Sequence, residues 1–212
     1  MNTCLKEELF KVLEGMCRVI VENEEYLNNL DSVIGDAEHG SNLKKAMEEA
    51  LRNVQASEEN SFELIESFGK AMIHSGCGSG PLLFGIVIRT IGHSLKQLGS
   101  FSPSNVAQAL REALDEVKAK GNSKVGDKTM VDALEPAVYA FEQTASQGKS
   151  LLEAFNAATK AAKQGMLSTI ALVGKRGRGS YLGERGVGHQ DPGATSVYIL
   201  FKCISQILAR KE

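Results

Sequence analysis

The chain has 212 residues, of which 42% are hydrophobic and 24% charged, and its formal net charge is −2. That length admits one large domain or two small ones, and the charge balance offers no basic face for nucleic acid or anionic lipid. No run of 18 apolar residues is present to span a bilayer, the charged start "MNTCLKEELFKVLEG" lacks the apolar core of a secretory signal, and the four scattered cysteines have neither zinc nor disulfide spacing.

A soluble, cytoplasmic protein is therefore expected, and its elements read as helices in chain order. Leu9, Val12, Leu13, Met16, Val19 and Ile20 recur at three- and four-residue steps and predict a first helix over about residues 4 to 29. A second runs from about 41 to 55 through Leu43, Met47, Ala50, Leu51 and Val54, and a third spans about 61 to 75. The fourth, "PLLFGIVIRTIGHSLKQL", is apolar nearly all round, as a helix buried on most sides would be. A fifth starts with Ser102 as N-cap and Pro103 at the first helical position. The sixth begins near residue 129 and contains Pro136, which predicts a kink. The seventh opens on a capping box of Ser150 and Glu153, and the eighth begins at "PGATS" and runs to the C-terminus. No segment reads as a strand. The expectation is an all-α fold of about eight amphipathic helices.

If consecutive helices run antiparallel, alternate loops share one end of the molecule. Loop one is "DSVIGDAEHG", loop three "SGCGSG", loop five "GNSKVGDK" and loop seven the long "GKRGRGSYLGERGVGHQD". The opposite end receives "ASEENS", "GSFSP" and "SQGK", which read as polar turns. Loop seven is longer than a helix connection requires, so the glycine-rich end is taken as the site.

Asp31, Asp36 and Glu38 give loop one three oxygen donors with no thiol beside them, which suits Mg²⁺ before Zn²⁺. Crowding carboxylates before a helix N-terminus makes sense if a cation lies between them and a phosphate, with backbone N–H donors from Gly40, Ser41 and Asn42. "SGCGSGP" lets backbone amides approach an anion, and Arg178 and Arg185 can pair with phosphate oxygens. Asp191 and Gly193 stand at the start of the last helix, where Asp191 also serves as a plain N-cap. His74 and His93 read as packing or surface residues and Cys77 as an inert thiol. "GKS" at 148–150 is not a Walker A loop, because Gln143 stands where its first glycine belongs, and Pro81 and Leu182 spoil the two candidates for GxGxxG.

"IGDAEHGSN", "GSGPLLFG", "VGDKTMVDALEPA" and "GRGSYLGERGVGHQDPGATS" together resemble the L subunit of dihydroxyacetone kinase, in the same order and over essentially the whole chain. The resemblance implies one domain over residues 1–212, a closed barrel of eight antiparallel helices with a nucleotide, ADP or ATP, at one end. It implies two Mg²⁺ ions between Asp31, Asp36, Glu38 and the phosphates. His39, Gly40, Ser41, Asn42, Ser79 and Gly80 would line those phosphates, and Gly121 and Met130 would flank the adenine. Arg178, the residue expected to act on the transferred group, would close the pocket with Asp191, Pro192 and Gly193.

The implied activity is phosphoryl transfer to dihydroxyacetone held through a histidine on a separate K subunit, for which this chain is too short. The leading form keeps ADP resident and has it rephosphorylated by a phosphoenolpyruvate-dependent phosphohistidine protein, DhaM. The alternatives are an ATP-dependent kinase half acting on another triose or tetrose, and a regulatory protein that binds a transcription regulator. This chain departs from the family where "GDAEHG" replaces GDGDHG, "GCGSG" replaces GGASG, and Gly186 stands where serine is common. Those departures fit a divergent paralogue.

Overall fold

A computed structural model describes residues 2–55 and 61–210, so the turn expected at "ASEENS" falls largely outside the described residues. Nine α-helices and three short 3₁₀ segments are formed there, without a strand. The helices are α1 (Asn2–Glu22), α2 (Glu24–Ile34), α3 (His39–Gln55), α4 (Ser61–His74), α5 (Ser79–Leu98), α6 (Pro103–Gly121), α7 (Val131–Ser146), α8 (Leu151–Ser168) and α9 (Pro192–Ala209). The all-helical expectation holds.

One boundary differs in kind. The first expected helix is two, broken at Asn23, whose side-chain amide donates to Val19 O at 2.7 Å and whose ψ of 11° leaves the helical path. The apolar register passes through the break without a gap: Met16 and Ile20 are buried in α1, Leu27 and Ile34 in α2. Periodicity alone could not expose it. Because α2 continues to Ile34, Asp31 sits on a helix and not in a loop.

The other termini follow local chemistry. Ser102 accepts from Asn105 N at 3.2 Å ahead of Pro103, and Ser150 and Glu153 exchange both capping-box bonds. Asp191 accepts from Ala194 N at 2.6 Å ahead of Pro192. Gly99 closes α5 and Asn122 closes α6, both in the left-handed region. Helix α7 runs unbroken through Pro136.

Packing follows chain order: α3 lies on α4, α4 on α5, and so on to α9, which returns to α1, while α1 also meets α3. The α4–α5 contact is the most extensive. Gly69, Gly85 and Gly92 explain it: a Cβ on Gly69 would stand 2.2 Å from Arg89 N, and one on Gly92 would stand 2.3 Å from Glu66 N. Two backbones approach that closely only over glycine. The interior is built from residues such as Phe68, Phe141, Leu43, Met47, Leu64, Leu114 and Leu134, all essentially without exposure. Burial of each contributes roughly 1.5–3 kcal/mol. No helix among the described residues is long and apolar enough to cross a membrane.

Candidate functional site

One cavity of about 640 Å³ opens where the connections after α2, α4, α6 and α8 meet. The N-termini of α3, α5, α7 and α9 all arrive there. Four helix N-termini around one cleft give it a positive dipole field suited to an anion.

Which of these termini still offers N–H groups is decided by their caps. At α3 the amides are engaged: Glu38 N and His39 N donate to Asp31 Oδ2 at 3.0 and 3.2 Å, Ser41 N donates to Asn28 Oδ1 at 3.0 Å, and Asn42 N donates to Glu38 O. The expected N–H cradle is therefore corrected at Ser41 and Asn42, whose amides are taken, and at Gly40 by its position. Gly40 and Ser41 do not line the cavity: a Cβ on Gly40 would meet Glu24 O at 2.3 Å, and the Ser41 hydroxyl donates to Glu24. Both serve the α2–α3 contact. Helix α5 has no such cap, since its N-cap Gly78 has no side chain and sits at φ +94°. Ser79 and Gly80, at its start, line the cavity.

The other residues singled out in the sequence gather here. Asp31, Asp36, Glu38, His39, Asn42, Gly121, Met130, Arg178, Asp191, Pro192 and Gly193 all face the cavity, with Leu83 and Val117 forming an apolar wall beside Met130. Arg185 does not; its Nε donates to Leu182 O on the surface. His93 is exposed and pairs with Glu66 at 3.7 Å, and Cys77 is buried. Lys45, Lys120, Lys128, Thr129 and Arg176 line the cavity as well, though the sequence reading gave them no role.

The carboxylates are unequal. Asp31 is buried, and that burial, reinforced by contact with the Asp36 carboxyl, lifts its pKa above the usual carboxylate range against the N–H bonds from Glu38 and His39. Asp36 lies 2.7 Å from the Arg178 guanidinium. Glu38 is turned toward Asn42 Nδ2 at 3.4 Å. Among the described residues no three His, Cys, Asp or Glu side chains form a ready metal cluster, so the expected trio is realised as an Asp31–Asp36 pair with Glu38 apart. The donor chemistry nonetheless fits a hard cation: two abutting carboxyls, one of them desolvated, are better accommodated with positive charge between them. Ala37 occupies the left-handed region at φ +64°, where glycine would be unstrained, so this short loop carries about 1 kcal/mol of strain.

Asp191 is buried, and that burial pushes its carboxyl up to about 7 against the N–H bond from Ala194, with Asp132 and Asp31 adding to the rise. His39 bonds through Nε2 to Ser196 Oγ at 2.9 Å, and desolvation takes its pKa down to about 4. Between pH 6.5 and 4 an unfolded chain would protonate His39 while the folded chain keeps it neutral, so this residue's share of stability is lost as pH falls through that window. In the metal-free protein, His39→Gln should remove that loss. The wild-type advantage in urea unfolding should then shrink by on the order of 2 kcal/mol between pH 7 and 4. A difference that is flat with pH would contradict the neutral, buried state of this ring.

Comparison with known proteins shows the family. The family described as the DAK2 domain matches residues 33–206. The chain is 36% identical over 190 residues to the PEP-dependent dihydroxyacetone kinase ADP-binding subunit DhaL of Escherichia coli K12, covering 89% of each. It is 32% identical to the PTS-dependent dihydroxyacetone kinase ADP-binding subunit DhaL of Lactococcus lactis, covering 90% of this chain and 91% of that one. With the D-erythrulose kinase of Mycolicibacterium smegmatis it shares 30% identity over 92% of its own length. Among solved structures it resembles the dihydroxyacetone kinase of Citrobacter freundii in complex with AMP-PNP and Mg²⁺, with a TM-score of 0.72 and 28% identity over 93% of this chain. The chain spans about a third of the length of each of these two larger kinases.

Proposed function

This chain belongs to the DAK2 domain family, and from that premise we propose that it is the nucleotide-binding subunit of a dihydroxyacetone-type kinase. The observation that carries the reading is the convergence of four connections on one cavity that joins an uncapped helix N-terminus to a carboxylate pair. The names of the E. coli and L. lactis relatives, and the ligands of the C. freundii structure, point the same way. The return of α9 to α1 supports reading the helices as a closed barrel with the site at one end.

In this reading ADP or ATP lies with its base against Leu83, Val117, Gly121 and Met130. Its phosphates meet Ser79, Gly80, His39 and Asn42. Asp31, Asp36 and Glu38 would hold Mg²⁺, two ions in the fuller form of the proposal, which would supply charge neutralisation for the phosphates. Arg178, on an exposed arm, would leave Asp36 for the transferred phosphoryl group. Phosphoryl transfer asks a protein for alignment and charge compensation more than for a nucleophile of its own. The acceptor hydroxyl would come from dihydroxyacetone on a separate K subunit, with any general base on that partner. Resident ADP rephosphorylated by a phosphohistidine protein is the favoured donor scheme, because the relatives bearing the DhaL name are PEP- or PTS-dependent. The erythrulose kinases among the relatives favour a tetrose as the second candidate acceptor. The proposed compartment is the cytoplasm.

Purification in Mg²⁺, denaturation and chromatography of the released small molecules test the reading. Stoichiometric ADP that survives dialysis is expected. An empty protein that binds ATP reversibly would replace the resident-ADP scheme by direct use of ATP, and a protein that binds neither would overturn the proposal.

A further inference from the structure

The connection from α8 to α9 runs from Thr169 to Asp191 and carries Arg178 near its middle, yet its two ends meet on one side chain from elsewhere. Lys128 is 4% exposed. Its ammonium donates to Thr169 O at 2.7 Å and Leu172 O at 3.2 Å, where the connection begins, and to His189 O, where it ends. Three protons meet three carbonyls, a convergence that the planar fork of an arginine does not match. The same neck is tied by Gly188 N to Ile170 O at 2.7 Å and by Asp191 N to Thr169 Oγ1 at 3.0 Å.

Lys128 is itself held. Its backbone sits at φ +62°, and Asp132 at the start of α7 accepts from Gly126 N and Thr129 N at 2.6 and 2.7 Å on either side of it. Asp127 next to it forms ion pairs with Lys175 and Arg176 at 3.8 and 3.7 Å, and its carbonyl accepts a hydrogen bond from Lys175 N. Beyond the neck, the connection reaches across the cavity mouth to place Arg178 on Asp36. Tyr181, near its tip, is 84% exposed and gives it no anchorage.

We infer that Lys128 is a positioning residue for Arg178: by gathering both ends of the α8–α9 connection onto one ammonium, it fixes where the guanidinium stands over the cavity. The role of Arg178 in this statement rests on the nucleotide-kinase reading, whereas the neck itself does not. Loss of the ammonium takes this donor from the Leu172 and His189 carbonyls and leaves Thr169 O with Leu172 N, and the connection loses the point about which its reach is set.

The test is Lys128→Met, which keeps an unbranched chain only one atom shorter and the same backbone strain while removing the donors. Amide exchange over residues 173–187, measured without ligand, should accelerate at least roughly tenfold while the helices keep their protection. MgAMP-PNP, which carries a group in the place of the transferred phosphoryl, titrated into the wild type, Lys128→Met, Arg178→Met and the double variant should then give a non-additive cycle. Arg178→Met should cost roughly tenfold in the wild-type background and little once Lys128 is gone. Lys128→Arg should not restore the wild-type value. Should Lys128→Met fall short of native helicity, Lys128→Gln, with two N–H donors on a shorter arm, carries the same measurements. Unchanged exchange overturns the inference, and so does accelerated exchange with an additive cycle. A wild type that binds no MgAMP-PNP overturns the functional reading and with it the role of Arg178, and the exchange result then decides the neck alone.

Discussion

Asp36→Asn is expected to weaken Mg²⁺-dependent binding of ADP by about 100-fold while leaving the fold in place. The substitution keeps the shape of the side chain and removes one of two abutting carboxylates, so a cation placed between Asp31 and Asp36 loses half of the charge that holds it. Little else depends on Asp36. It lies in a short surface loop, and its ion pair with Arg178 involves a side chain that is 68% exposed. A pair of that kind contributes at most about 1 kcal/mol. Relief of the repulsion on Asp31 works in the opposite direction, so the net change in stability should stay within about 0.5 kcal/mol. Calorimetric titration with MgADP, beside a urea melt followed by circular dichroism, reads both quantities. Unaltered MgADP affinity would remove Asp36 from the proposed metal site, and a large loss of stability would make it a structural residue.

How much of this was legible in the sequence depended on the range of the interaction. Helix starts at Ser102, Ser150 and Asp191 are set by side chains that reach three residues ahead, and those signals stand in the sequence as short patterns. The gathering of the four loops at one end followed from helix alternation, even though the first helix is really two, because the break at Asn23 leaves the apolar register unchanged. What failed was any inference that required knowing which donors were already engaged. An acidic loop ahead of α3 suggested free amides at Gly40, Ser41 and Asn42. In fact Asp31, seven and eight residues back, and Asn28 occupy the amides around that terminus, while the open terminus is that of α5 behind Gly78. Lys128 was hidden for a stronger reason. Its partners are backbone carbonyls 41 to 61 positions away, and a carbonyl leaves no mark in a sequence.

Arg178→Ala should move two measurements in opposite directions. In the nucleotide-free protein the guanidinium stands 2.7 Å from Asp36 Oδ2, where it competes with any cation for that carboxylate. Deleting it frees Asp36, so Mn²⁺ used as a paramagnetic stand-in for Mg²⁺ should bind up to about fivefold more tightly, the ceiling set by an exposed ion pair worth about 1 kcal/mol. Phosphoryl transfer should suffer in the same variant. With the ketose-holding subunit and nucleotide present, kcat should fall about 10²- to 10³-fold, because a positive charge aimed at the transferred group acts most strongly as that charge redistributes in the transition state. A merely structural arginine would not produce this pair of results, since a loosened loop would weaken metal and nucleotide together. Mn²⁺ binding that weakens in Arg178→Ala would show that the pair does not oppose the metal, and an unchanged kcat would take Arg178 out of the reaction. If both shifts appear, the contact between Arg178 and Asp36 is the resting arrangement of two charges that part when the metal-nucleotide enters.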